Sequence, residues 1–185
     1  MALGPRTKLL AIIGLFTLPI VASLVTYHFF PPEPTGNYGE LLRPAPVTAQ
    51  PFVAEDGAEF RFSALAGKWI LVVSDSGDCP QACADKLATL RQVRLALGRN
   101  ADRLARVFVV DDTRAPDPKA LEPFPGTRVV RTPLGMALPA GAVNDRAHIY
   151  VIDPRGHVML RFPARPEMRR MLKDLERLLK ASQIG

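Results

Sequence analysis

Two cysteines stand four residues apart in this 185-residue chain, in the segment Cys79-Pro80-Gln81-Ala82-Cys83. A bridge between residues so close in sequence closes almost no loop and stabilises a fold little by chain entropy, which favours a chemical role over a structural one. Gly77-Asp78 precedes the pair and a helical pattern follows it. At a helix N-terminus, unpaired N–H groups and the positive end of the dipole favour thiolate over thiol. The i, i+4 spacing predicts both sulfurs on one helix face, near enough to share a metal ion or, with local adjustment, to bridge. Two soft thiolates select Cu(I) over hard ions, and the same thiolates exchange with disulfides. Cys79, nearer the loop, is the expected attacking sulfur and Cys83 the resolving one. The plainer alternative is a pair of small hydrophobes on a buried face. It suits Cys83, which continues the stripe of Leu87 and Leu90, better than Cys79, which lies in a Gly-Asp-Cys-Pro turn.

A third metal ligand must come from few candidates. The histidines are His28, His148 and His157. His28 belongs to an apolar run and His157 follows a turn, which leaves His148, at the start of a strand, as the tentative ligand or else a satisfied core histidine. Met136 offers a thioether to Cu(I). Asp145 and Arg146 precede the same strand; Arg146 can stabilise a thiolate or belong to a surface charge pair. Asp75 and Asp78 flank the cysteines as local proton acceptors, and Asp78 can also serve as a helix cap. The sequence holds no glycine-rich phosphate loop, no Ser-His-Asp set of usable spacing and no zinc-finger spacing.

The elements that must position these residues alternate. Glu59–Phe62 and Trp69–Val73 are short apolar or alternating runs, predicted as strands. Cys83, Leu87, Leu90, Val93 and Leu97 recur on one helical face, with Gly98 as a stop. Val107–Val110 is a third predicted strand, and residues 111–147, with Pro116, Pro118, Pro123, Pro125, Pro133 and Pro139, are expected to be irregular. His148–Ile152 and Val158–Phe162 flank Asp153-Pro154-Arg155-Gly156, which has type I turn chemistry and predicts a hairpin. A last helix, with Pro166 at its first position, is expected to bury Met168, Met171, Leu172, Leu175, Leu178 and Leu179. This order predicts an α/β domain with a mixed central sheet.

From Leu9 to Phe30 the chain carries no charged residue. A helix of about 20 residues crosses the hydrocarbon core of a bilayer, so residues 9–30 are expected to be a transmembrane anchor. Tyr27, His28, Phe29 and Phe30 suit the far interface, and Pro31-Pro32 ends the helix. Arg6 and Lys8 place residues 1–8 in the cytoplasm by the positive-inside rule. The expected location is therefore a bacterial inner membrane, single-pass, with the domain in the periplasm. Residues 31–50, with five prolines and two glycines, are expected to be a tether, and 51–185 the folded domain. The net charge of +6 is scattered, without a basic stripe interleaved with aromatics, so no nucleic-acid partner is expected.

On these residues the chain resembles the Sco/SenC family, membrane-anchored thioredoxin-fold proteins that help assemble the copper centre of cytochrome c oxidase. Phe60–Val73 (FRFSALAGKWILVV) is similar to the family's opening strands, Cys79–Leu87 (CPQACADKL) to its Cys-Pro-x-x-Cys-x-x-x-Leu helix start, Val110-Asp111 with Arg114 to the stretch after its third strand, and Tyr150–Gly156 (YVIDPRG) to its hairpin. The resemblance implies a thioredoxin-like fold, copper or disulfide chemistry at Cys79 and Cys83, and an oxidase subunit or assembly factor as partner. The chain departs from the family where a metal-binding histidine is expected: Asp145 stands there. Three functions follow as expectations: help in copper-centre assembly by Cu(I) carriage, thiol–disulfide exchange or both through Cys79 and Cys83; thiol–disulfide reduction without copper; and a non-catalytic assembly scaffold.

Overall fold

A computed structural model describes residues 4–29, 36–47, 49–132 and 145–182. The chain divides into two units, Met1–Gly36 and Asn37–Gly185. The first holds helix α1, Pro5–Phe29, with no buried side chain. At 1.5 Å per residue, 25 residues span about 37 Å, and the helix is apolar enough to cross a membrane. Pro5 sits in the first turn, where the missing N–H has no partner to lose; Pro19 lies inside the helix.

In the second unit a mixed eight-stranded sheet has the order β1-β8-β7-β4-β5-β6-β2-β3. The strands are β1 (Glu40–Pro46), β2 (Phe52–Ala54), β3 (Glu59–Phe60), β4 (Trp69–Asp75), β5 (Leu104–Val110), β6 (Arg128–Arg131), β7 (His148–Ile152) and β8 (His157–Pro163). Every residue of β4 is buried, as the near-continuous apolar run Trp69–Val73 demands of a central strand covered on both faces. It pairs in parallel with β5 and antiparallel with β7. Helices α2 (Gln81–Ala96) and α4 (Met168–Ala181) bring Cys83, Leu87, Leu90, Met171, Leu175 and Leu179 into one core with Leu71, Val73, Phe108, Ile149 and Val151. A second core contains the alternate residues Ile70, Val72, Val107, Val109, Tyr150 and Ile152 together with Phe52, Phe60 and Phe62. Phe62 meets Phe52 and Phe60 edge-on, with centroids 5.3 and 5.5 Å apart.

Four expectations need correction. The tether does not reach residue 50, because β1 lies within it and pairs with β8. Its prolines, Pro44 and Pro46, are tolerated because β1 is an edge strand with an irregular register between Leu41 and Ala45. Gly39 N–H donates to Asp174 Oδ2 on α4 at 2.9 Å, and a Cβ at Gly39 would stand 2.7 Å from the Phe162 ring. The stretch 111–147 is not wholly irregular: it forms a short helix α3, Pro118–Leu121, and β6, which adds to β5 in parallel. Strand Glu59–Phe62 stops at Phe60, and a 3-10 turn covers Phe62–Leu65. The final helix begins at Met168, two residues beyond the proline expected to open it. The β7–β8 hairpin is present as predicted, with Gly156 at φ +85° closing its turn through a hydrogen bond to Asp153 O.

Candidate functional site

The carboxyl end of β4 delivers the chain into the cysteine segment. Cys79 N–H donates to Ser76 O at 3.0 Å, closing a turn, and Pro80 caps α2 with extended backbone. Cys79 therefore lies outside the helix, not on its face. Its φ is +40°, the sole positive value among described non-glycine residues. Left-handed backbone costs an L-residue about 1–2 kcal/mol, and such positions concentrate at functional sites. Cys83 sits in the first turn of α2, its N–H donating to Pro80 O at 2.8 Å. The two are joined as a disulfide, with Cα atoms 5.1 Å apart, well inside the range a bridge accepts.

Both cysteines are buried. Cys79 keeps 6% of its surface and Cys83 none, because both pack into the helix-side core. Only Cys79 offers any approach from water.

A network of charges lies at the same end of the sheet. Asp75 continues the helix-facing alternation of Leu71 and Val73, and its Oδ2 is 2.7 Å from Lys86 Nζ. Lys86, three residues past Cys83 on α2, also donates to Ser74 O at 2.8 Å and Arg146 O at 2.9 Å, so all three ammonium protons have acceptors. Arg146 grips Asp111 with Nη2 at 2.6 Å and Nε at 3.1 Å and reaches Asp75 Oδ1 at 3.6 Å. Its hydrogen bonds to Asp111 raise its pKa further above the ordinary value. Arg146 is thus committed to carboxylates. Lys86 was not among the sequence candidates. Its signal was a lysine inside the apolar stripe, one residue before Leu87, matched by an aspartate ending an apolar strand.

The cysteine turn is clipped to the segment after β5. Gly77 N–H donates to Asp112 Oδ1 at 3.0 Å, Asp117 N–H donates to Gly77 O at 3.2 Å, and Asp78 pairs with Arg114. Partial burial opposes the charge on Asp112, but hydrogen bonds from Ser76, Gly77 and Arg114 outweigh it and hold the carboxyl below its usual range. Asp78 thus pairs with an arginine; the helix cap is Pro80.

The structure does not bring His148 to the cysteines. Along β7, Ile149 and Val151 face the helix-side core that contains Cys79 and Cys83, whereas Tyr150 faces the opposite core. Alternation puts His148 on the Tyr150 side. Its Nδ1 is 2.6 Å from Asp145 Oδ2, which also accepts a 2.6 Å hydrogen bond from Tyr150 OH. Burial raises the pKa of Asp145, but the Tyr150 and His148 hydrogen bonds reverse the shift and lower it; burial first, and Asp145 second, push Tyr150 up to about 12. His157 stands 3.5 Å from Asp153 at the hairpin turn. His28 lies in α1, and Met136 lies outside the described residues. Among the described residues no group of three His, Cys, Asp or Glu side chains is placed to hold a metal ion. Among the described residues, the soft donors at this end of the sheet are the two sulfurs, once reduced.

Solved structures share this fold. Yeast Sco1 with copper bound aligns at 17% identity and TM-score 0.63, over 76% of this chain and 96% of that one. BsSco, a Bacillus member of the Sco family of cytochrome c oxidase assembly proteins in which a disulfide switch was identified, aligns at 16% and 0.55, over 77% and 96%. The thioredoxin domain of a Bacteroides vulgatus thiol-disulfide oxidoreductase aligns at 18% and 0.54, over 76% and 99%. These likenesses establish the thioredoxin-like fold that the resemblance implied. No curated protein matches in sequence. Residues 69–182, from the start of β4 to the residue after α4, match the family model described as a transmembrane-like, thioredoxin-like C-terminal domain, and the chain belongs to that family.

Proposed function

We propose that this protein is a membrane-anchored thiol–disulfide exchange protein serving assembly of the cytochrome c oxidase copper centre. The observation that carries the reading is the Cys79–Cys83 disulfide at the β4–α2 junction, where Cys79 keeps 6% of its surface and Cys83 none. In the reduced form, the Cys79 thiolate bonds to one sulfur of a partner disulfide and displaces the other as a thiolate. The Cys83 thiolate then attacks Cys79, restoring the internal bridge and releasing the second partner thiol. Two electrons pass to the partner, and the two protons lost by the cysteines end on its thiols. The amino end of α2 favours the thiolates throughout. Arg6 and Lys8 favour a cytoplasmic N-terminus, which puts the exchange in the periplasm of a bacterium. The copper-ligating cysteines of an oxidase subunit are the partner this reading names.

Cu(I) carriage is the second reading, favoured by the fold shared with copper-bound yeast Sco1. Here copper is cargo held by two thiolates. Asp145 in place of a histidine, and His148 on the far face of the sheet, leave no histidine beside the cysteines among the described residues and favour exchange over carriage.

The deciding experiment uses the reduced full chain in detergent. Exchange predicts that Cys83→Ser accumulates a mixed disulfide through Cys79 with an oxidase-derived dicysteine peptide, while the wild type turns over. Stoichiometric Cu(I) binding lost in Cys79→Ser, with no mixed disulfide, would favour carriage instead. Undiminished oxidase copper content in cells carrying Cys79→Ser and Cys83→Ser together would defeat both.

A further inference from the structure

The amino end of β4 and β5, opposite the disulfide, holds an unrelated cluster of cations. A cavity of about 220 Å³ is lined by Lys68, Arg94, Arg106 and Arg128, and no carboxylate is among its described lining residues. Arg106 occupies a position that strand alternation assigns to the core: Leu104, Phe108 and Val110 face the helix side, and Arg106 pairs in register with Leu71. It is 95% buried, with 5% of its surface exposed. Its Nη2 donates to Pro125 O at 2.5 Å, while Nε and Nη1 are buried with no hydrogen-bond partner among the described residues. Buried guanidinium donors without acceptors are costly, more so among like charges.

The neighbours do not neutralise it. Burial, followed by the charges of Arg94 and Arg91, lowers the Arg106 pKa. Arg94 spends Nε on Leu104 O at 3.2 Å and Nη2 on the exposed Asp102 at 3.1 Å. Arg128 lies over the Phe60 ring, 5.2 Å from its centroid. Gly126, at φ +77°, leaves room beside Arg106, since a Cβ there would stand 3.2 Å from Nη2.

We propose that this cavity binds a phosphate-type oxyanion, either free phosphate or the phosphodiester of a lipid headgroup. Arg94, Arg106 and Arg128, with Lys68 from the turn before β4, line this one cavity, and guanidinium and ammonium groups match an anion with several acceptor oxygens on one centre. A halide offers no such set of acceptors.

The test uses the full chain in dodecyl maltoside, titrated calorimetrically with inorganic phosphate against chloride at matched ionic strength. Saturable phosphate binding, absent with chloride, is expected, and Arg106→Met should weaken it about tenfold or more. If Arg106→Met fails to fold by circular dichroism, the exposed pair Lys68→Ala and Arg128→Ala decides, with the same loss expected. Adding phosphatidylglycerol then separates the sources: a headgroup competes and weakens phosphate binding, whereas a site for free phosphate is indifferent. No preference for phosphate over chloride, or equal affinity in all variants, would overturn the proposal. None of these residues touches the cysteines, so the result is independent of the thiol chemistry.

Discussion

Lys86 Nζ lies 2.7 Å from Asp75 Oδ2, and both side chains are sealed from water beside the helix turn that carries Cys83. The pair ties α2 to the end of β4, so the cysteine turn is held between two charge-locked elements. Replacing Lys86 by Met removes the cation and leaves the carboxylate buried. Breaking such a pair typically costs 3–5 kcal/mol, and about 3 kcal/mol is expected because Arg146 remains 3.6 Å from the other oxygen. Urea unfolding should show this loss in Lys86→Met, with a smaller one when Asp75→Asn is added. A double variant no better than the single would refute the pairing.

The disulfide should matter more to reactivity than to stability. Its loop is so short that reduction is expected to lower unfolding free energy by about 2 kcal/mol or less. Denaturation with and without dithiothreitol measures this; a loss several times larger would make the bridge structural.

Gly77 passes so near the following segment that a Cβ there would collide with the carbonyl oxygens of Arg114 and Ala115. Gly77→Ala is expected to cost about 1–3 kcal/mol and to change the reactivity of Cys79, because the turn must move to relieve the overlap. Thermal unfolding and the rate of thiol labelling after reduction test both parts.

Tyr150 should ionise late. With Tyr27 and Tyr38 replaced by Phe, phenolate absorbance is expected to rise with a midpoint of about 12, and Asp145→Asn should move it back only partway, since burial is the larger cause. The folded pKa exceeds the unfolded value of about 10, so the stabilisation is complete below that pH and lost as pH rises toward 12. A midpoint near 10 in the intact protein would contradict the Tyr150–Asp145 hydrogen bond.

Asp145 has the opposite sign. Its folded pKa is lowered, so its contribution is present above the unfolded value of about 3.9 and disappears as pH falls through the folded one. Acid unfolding of Asp145→Asn should therefore be less steep with pH in that range than wild type. Identical profiles would show that His148 and Tyr150 do not stabilise the carboxylate.

Much of this was visible in residue order. The uncharged run after Lys8, the apolar stretch Trp69–Val73, the stripe from Cys83 to Leu97 and the Asp153–Gly156 turn each carry a local period or turn chemistry that names its own element. Both cysteines could be singled out because their spacing is itself local. What local pattern could not settle was the partnering of elements far apart in the chain. Strand β1 is stabilised by pairing with β8, more than 100 residues later, and its two prolines mask it because only an edge position excuses them. The face of the sheet to which His148 belongs, the meeting of Asp75 with Lys86 and Arg146, and the gathering of Lys68, Arg94, Arg106 and Arg128 around one cavity all depend on register between strands and on which helix covers which face. A chain of 185 residues states its periods one segment at a time, while burial and charge pairing are properties of segments already brought together.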